Sequence, residues 1–290
     1  LDQVNLGVWA VQQKYFQTFF VLWKFGEVPV PIFPGGYFIG GLLFINLIAA
    51  HIYRFKLTWR KTGIFLTHFG IILLLIGELL SGLLQEDFQM RLAEGETKNY
   101  SESPRFNELA VIDTTNPEFD DVVAIPEAML ARGDVVQHPK LPFRIVPKIY
   151  YPNANLEMRP AGSSAPPSPA TTGAGVQIIA TPLPITYKPN EQNFPAAFVE
   201  LDAPEGPIGT WLVSTDLTRV QHFDYGGRSW KIALRFQRAY KPFALTLLKF
   251  SNDLCAGTDN HENNSRRLRL TTRADNDERE VLIYMHNTLR

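Results

Sequence analysis

The sequence predicts a membrane protein in two parts: two transmembrane α-helices, then a mostly-β exported domain folded as an antiparallel sandwich or open barrel. Two long apolar runs in the first third of the 290-residue chain predict the helices. Short strand-like stretches separated by Pro, Gly, Asn and Asp predict the β domain that follows. A mean hydropathy near zero averages these unlike parts and describes neither.

Residues 1–34 are expected to form an exported N-terminal segment. Residues 35–53 form the first predicted span: between Tyr37 and Tyr53 the only ionisable side chain besides the tyrosines is His51. Residues 62–84 form the second, interrupted only by His68 and Glu78. Residues 54–61 join them with four cations, Arg54, Lys56, Arg60 and Lys61, and no acid, so the positive-inside bias puts this loop in the cytoplasm. Residues 85–290 then lie on the far side, in a bacterial periplasm or an equivalent compartment. Having one cysteine, Cys255, suits an oxidising compartment. The chain starts at Leu1 and stops at Arg290 in mid-pattern, so it is expected to be a fragment lacking sequence at its ends.

The clearest strand is Ser229–Gln237, where Trp230, Ile232, Leu234 and Phe236 alternate with Lys231, Arg235 and Gln237. Weaker strands are expected at Phe143–Tyr150, Val176–Thr181, Ala197–Asp202, Ile208–Val213, Leu245–Phe250, Arg267–Thr271 and Val281–Met285. Residues 161–175, rich in Ala, Pro, Ser and Gly, read as a disordered loop or linker, because such side chains offset little ordering entropy.

Composition and motifs exclude several functions. With 28 Lys+Arg against 29 Asp+Glu there is no basic excess for a polyanion. One cysteine leaves no internal disulfide, CxxC pair, Cys-rich zinc site or CxxCH haem-attachment signature. There is no GxSxG elbow, HExxH helix or Gly-rich phosphate loop. His138, His222, His261 and His286 have no metal-like spacing, and acidic runs such as Asp275–Glu280 read as solvated surface. Cys255 sits in a turn-rich stretch with nothing placed to activate it.

His68 differs, because an imidazole inside a span must face protein, water or a ligand. Two readings are open from the residues alone: an interhelical hydrogen bond, or ligation of a metal such as haem iron. Thr67, Gly70, Leu74, Gly77 and Ser81 recur at helical spacing, as a surface for close helix approach, and Gly36, Gly40 and Gly41 do the same on the first span. Glu78 and His51, near span ends, read as interfacial.

Four stretches resemble the ResB (CcsB) proteins of the system II cytochrome c maturation pathway: Pro34–His51, Trp59–Gly70, Leu92–Ser101, and Lys241–Phe250 together with Gly257–Asp259 and Arg279–Met285. The resemblance runs through almost the whole chain. It implies a protein of the bacterial cytoplasmic (inner) membrane, its large domain facing the periplasm. With a polytopic ResC/CcsA-type partner it would export haem and present it to apocytochrome c for attachment. This chain would be one part of a holocytochrome c synthase complex, with haem b as transient cargo and a thioredoxin-like thiol reductant as a further partner. The resemblance places His68, in Leu66–Gly70, as one axial haem ligand within the membrane; the partner would supply the opposite ligand and the Trp-rich haem-binding segment. Trp9, Trp23, Trp59, Trp211 and Trp230 accordingly read as interfacial or core residues. Family members usually carry one span before the region that starts at Leu1 and another after the strand ending near Met285, which this sequence, expected to be truncated, does not reach; Cys255-Ala256 stands where many members have an aromatic residue and a proline. The competing reading is a membrane-anchored β-domain scaffold or sensor that binds a protein partner without haem.

Overall fold

Contacts along the chain separate it into two units, Leu1–Glu86 with Pro184–Asn193, and Asp87–Leu183 with Phe194–Arg290. The structure, a computed structural model, describes residues 2–3, 7–26, 28–54, 58–186, 191–254, 261–272 and 277–284. Cys255, the 257–259 turn, Met285 and His286 lie outside the described residues.

The first unit opens with a short helix, α1 (Val8–Val11), that widens into a π-helical turn over Gln12–Phe16. Strand β1 (Phe20–Phe25) pairs antiparallel with β2 (Val28–Pro34), and Gly26, at φ +65°, begins the turn between them. Helix α2 (Gly36–Arg54) follows one residue later, and α3 (Thr62–Leu84) is entered through a 3₁₀ turn at Trp59–Lys61. The Gly35-Gly36 pair is required by a close backbone approach: a Cβ at either position would collide with the carbonyl of Thr18 or of Phe16. Here Gly35 N–H donates to Phe19 O at 2.8 Å and Tyr37 N–H to Thr18 O at 3.2 Å, which supplies acceptors at a helix start. Gly36, expected to admit a partner helix, instead admits the chain that precedes it.

At 19 and 23 residues, α2 and α3 are long enough to cross a hydrocarbon layer of about 30 Å at about 1.5 Å per residue. Both are also apolar enough, and only 6% of each apolar window is buried within the protein. A Cβ built on Gly40, Gly41, Gly70 or Gly77 meets nothing within 4 Å, so these positions are open in the structure.

The second unit is β-rich, and strand accounts for 46% of the chain. Its strands are β3 (Thr97–Asp113), β4 (Asp121–Pro126), β5 (Arg144–Tyr151), β6 (Ala154–Met158), β7 (Ile178–Pro182), β8 (Ala196–Ala203), β9 (Gly206–Ser214), β10 (Gln221–Tyr225), β11 (Arg228–Leu254), β12 (His261–Thr272) and β13 (Asp277–Tyr284). One sheet runs β13-β12-β11-β3-β4 with β10 on β11; a second runs β5-β8-β9; β6 and β7 form a ribbon. Every strand pair is antiparallel.

The two larger sheets bury one common core. Leu109, Val111, Ile125, Trp230 and Ile232 come from the first, and Ile145, Val199, Leu201, Trp211 and Val213 from the second. No ladder joins the two sheets among the described residues; they meet through this shared core. Phe143 stands edge-on to Trp230 at 5.3 Å, and Phe223 bridges Trp211 and Trp230. Helix α4 (Glu127–Arg132) closes one end, stopped by Gly133 at φ +73°, and buries Leu130.

Trp230, Ile232 and Leu234 face the core as their alternation predicts. The expected strand at Leu245–Phe250 is the far half of β11, which runs 27 residues without a break. Residues 161–175, expected as a disordered loop or linker, form no strand but join the domain's packing. Ala170 is buried in a second cluster with Phe198 and Leu212, and Ser168 Oγ donates to Gly175 O at 2.6 Å. Arg159 reaches the carbonyls of Ala165 and Pro166 at 2.9 and 2.7 Å.

Candidate functional site

His68 lies in α3, six residues in from Thr62, and its Nδ1 is 2.8 Å from the carbonyl oxygen of Ile64, one turn back. A carbonyl only accepts, so Nδ1 is the donor in this bond. The bond fixes the orientation of the ring on the helix, as a backbone acceptor does for an imidazole that ligates a metal. His51, three residues before the end of α2, repeats the arrangement with Nδ1 3.0 Å from Leu47 O.

The two imidazoles meet across the helix pair, with ring centroids 5.5 Å apart at 67°. Phe65 packs against His51 at 5.2 Å and stacks on Phe69, giving the pair an apolar, aromatic flank. The place of His51 near a span end predicts an interfacial residue, whereas the fold sets it against His68. A signal was present: both histidines lie close to the loop joining the spans, and at about 1.5 Å per residue their depths differ by less than one helical turn. Glu78 lies on α3, exposed and away from this pair in sequence.

Among the described residues no three His, Cys, Asp or Glu side chains converge as a metal site. A bare zinc or copper ion wants three or four protein ligands. Haem differs because the macrocycle fills the equatorial positions, and one imidazole is then a sufficient axial ligand. The donor set here, two imidazoles beside aromatic side chains, fits that second case better than the first.

In the β domain three carboxylates are taken up by pairing across β3 and β11. Arg235 bonds Glu108 at 2.9 Å, Arg238 bonds Glu102 at 3.0 Å, and Arg228 reaches Asp113 at 3.2 Å, all between β11 and β3. Arg238 also lies over the Tyr100 ring at 3.9 Å. Hydrogen bonds from the Thr115 hydroxyl and amide, aided by Arg228, hold the Asp113 carboxyl below the ordinary aspartate range. Glu127 accepts from Asn107 at 2.8 Å and from the Tyr150 hydroxyl at 3.2 Å. Burial, and then the neighbouring Glu127 charge, pushes the Tyr150 phenol up. These acids stitch strands together. An open cavity of about 680 Å³ is lined by His138, Leu141, Phe143, Arg144 and Asp202, and its cation and acid, Arg144 and Asp202, pair with each other. His138 accepts the Lys140 amide at 3.2 Å, and His222 is exposed on β10.

Two of the stretches that resembled the ResB family are brought together. Gly95, at φ +82°, makes the turn into β3 and donates to Leu247 O at 2.7 Å, and Leu247 N–H returns a bond to Glu96 O at 3.1 Å. Glu94 accepts the Phe250 amide at 2.7 Å, and the Thr97 and Thr246 hydroxyls bond at 2.7 Å. The resemblance therefore falls in part on a β-ribbon junction whose residues pair by backbone geometry. No protein-family profile matches this chain, and no characterised protein matches its sequence.

Proposed function

We propose that this chain is a haem-handling component of system II cytochrome c maturation, of the ResB/CcsB kind, anchored in a bacterial cytoplasmic membrane with its β domain in the periplasm. The observation that carries the reading is His68: an imidazole in an apolar span, its ring oriented by the Ile64 carbonyl and facing His51 of the neighbouring helix. Haem is cargo. Iron coordination would hold the porphyrin while the apolar flank of Phe65 and Phe69 excludes water. His51 adds a second imidazole at the same place, and a ResC/CcsA-type partner supplies the opposing ligand and the Trp-rich surface. The β domain serves as the docking platform for that partner and for apocytochrome c, and a thioredoxin-like reductant keeps the acceptor cysteines reduced. The cation-rich loop at 54–61 supports a cytoplasmic loop and an exported β domain.

The test is the absorbance of the complex purified with its polytopic partner. His68→Ala is expected to remove or shift the Soret band and to lower cytochrome c maturation at least tenfold, with added imidazole restoring the band. An unchanged spectrum with undiminished maturation refutes the haem role, and would leave a membrane-anchored β-domain scaffold or sensor.

A further inference from the structure

The hairpin β1–β2 has no role in holding haem, yet its chemistry is unusual for a surface ribbon. Residues directly opposite in an antiparallel pair share a face. The register Val21↔Phe33, Trp23↔Val30 and Phe25↔Val28 therefore builds one face entirely of large apolar side chains. Phe25, Phe33 and Val28 on that face are 69%, 64% and 63% exposed. The other face carries Phe20, Leu22 and Lys24 opposite Pro34, Pro31 and Pro29. Lys24 is the single charge among the residues of the two strands.

The prolines have a positional meaning. A proline has no N–H, so in a two-stranded ribbon it keeps the ladder intact only where its nitrogen faces away from the partner strand. Pro29 and Pro31 alternate and so share that outer edge. The irregularity between Val21 and Leu22 leaves Ile32 without a partner and shifts the alternation by one, which returns Pro34 to the same edge. The outer edge of β2 is thereby stripped of its backbone donors at three positions. In water this would gain little, since solvent satisfies an exposed edge; in a lipid environment each unbonded N–H is costly. The edge is blunted against strand addition as well.

The hairpin is also fixed to the membrane helices. Gly35 is the sole residue between β2 and α2, the Thr18 and Phe19 carbonyls bond the start of α2, and Phe20 packs on Phe38 at 5.1 Å. A Cβ on Gly82, near the end of α3, would approach the Tyr37 hydroxyl at 3.2 Å, which puts the hairpin's root at the end of the helix pair opposite the cationic loop.

The geometry points to β1–β2 as a lipid-interface paddle: Val21 is buried at the root of that face, and the exposed Trp23, Phe25, Val28 and Phe33 lie on the acyl region of the outer-leaflet boundary, with Lys24 directed to lipid phosphates. This rests on the membrane reading of α2 and α3. The occupant is phospholipid rather than a protein strand, because a wholly apolar face, one cation on the reverse side, a donor-poor edge and direct continuity with a span all match a bilayer boundary.

The experiment is site-directed spin labelling of the full chain in phospholipid nanodiscs, in a Cys255→Ser background that removes the native thiol. Labels at Phe25→Cys and, independently, Val28→Cys report the apolar face; Leu73→Cys in α3 and Glu205→Cys in the β domain are references. Collision with oxygen is expected to exceed collision with a water-soluble nickel chelate at residues 25 and 28, as at 73 and opposite to 205. A label at 25 or 28 as accessible to nickel as that at 205, with 73 lipid-facing, overturns the paddle while leaving the spans intact. Protection from both reagents overturns it in favour of a protein cover. A water-accessible label at 73 overturns the membrane reading itself.

Discussion

Leu and Ile occupy opposite environments in the two units. In the β domain Leu109, Val111 and Ile145 have no accessible surface, whereas on α3 Leu73 and Leu74 are 52% and 74% exposed. One unit satisfies its apolar side chains internally by stacking two sheets. The other leaves them outward along two full-length helices and a hairpin. Exposed apolar patches of this extent are foreign to a surface built for water, and both helices are long and apolar enough to cross a membrane. The same contrast holds for polar groups: in the β domain Arg235 and Glu108 are paired inside a sheet, whereas the two helices carry, besides two tyrosines and the terminal Arg54, only His51, His68 and Glu78 as ionisable side chains.

The contrast can be broken by substitution. Trp230→Ala removes a side chain central to the shared core and is expected to lower the unfolding free energy of the β domain by about 3–5 kcal/mol, read as a shifted denaturant midpoint; a midpoint close to the parent's would mean the two sheets do not depend on this packing. Leu73→Asp is expected to leave that midpoint unchanged but to disfavour insertion of α3 by about 2.5–3.5 kcal/mol, read from the inserted fraction in microsomes. Equal insertion of parent and variant would place α3 away from lipid. Glu108→Ala strands the buried Arg235 guanidinium and is expected to cost about 2 kcal/mol, less than a fully enclosed pair would because Arg235 keeps 14% exposure.

The smallest effect sharpens the electrostatics. Because Asp113 is held below the ordinary aspartate value of 3.8, the folded state favours its charged form. That contribution is complete above this value and disappears as pH falls through the lower folded-state value. Asp113→Asn should therefore flatten the acid limb of a stability–pH curve by less than about 1 kcal/mol, and curves that stay parallel below pH 4 would exclude the contribution.

Legibility followed burial. β11 showed in sequence because its near half is buried on one side, so Trp230, Ile232 and Leu234 alternate. β3, its central neighbour, gave no alternation: residues 107–112 are all buried, and a continuous buried run has no period. β1 and β2 escaped for the opposite reason, since three prolines demote a segment as a strand unless the outer edge is known to be where they sit. At the candidate site His68 stood out by its place in an apolar run. His51 did not, because its significance depends on the neighbouring helix. Glu108, isolated in sequence and outside any acidic run, gives no sign that the pairing with β11 buries it.

Hydrophobic length and period, which are local properties, determined from sequence alone that two helices are long and apolar enough to cross a membrane and that a β-rich domain follows. Pairing across distant segments decided the rest: the core shared by the two sheets, the Arg–carboxylate seam between β3 and β11, the donor-poor edge of the hairpin, and the meeting of His51 with His68. Each of these depends on register or helix rotation, set by the joint burial of residues far apart in the chain, and no window along a single segment contains that information.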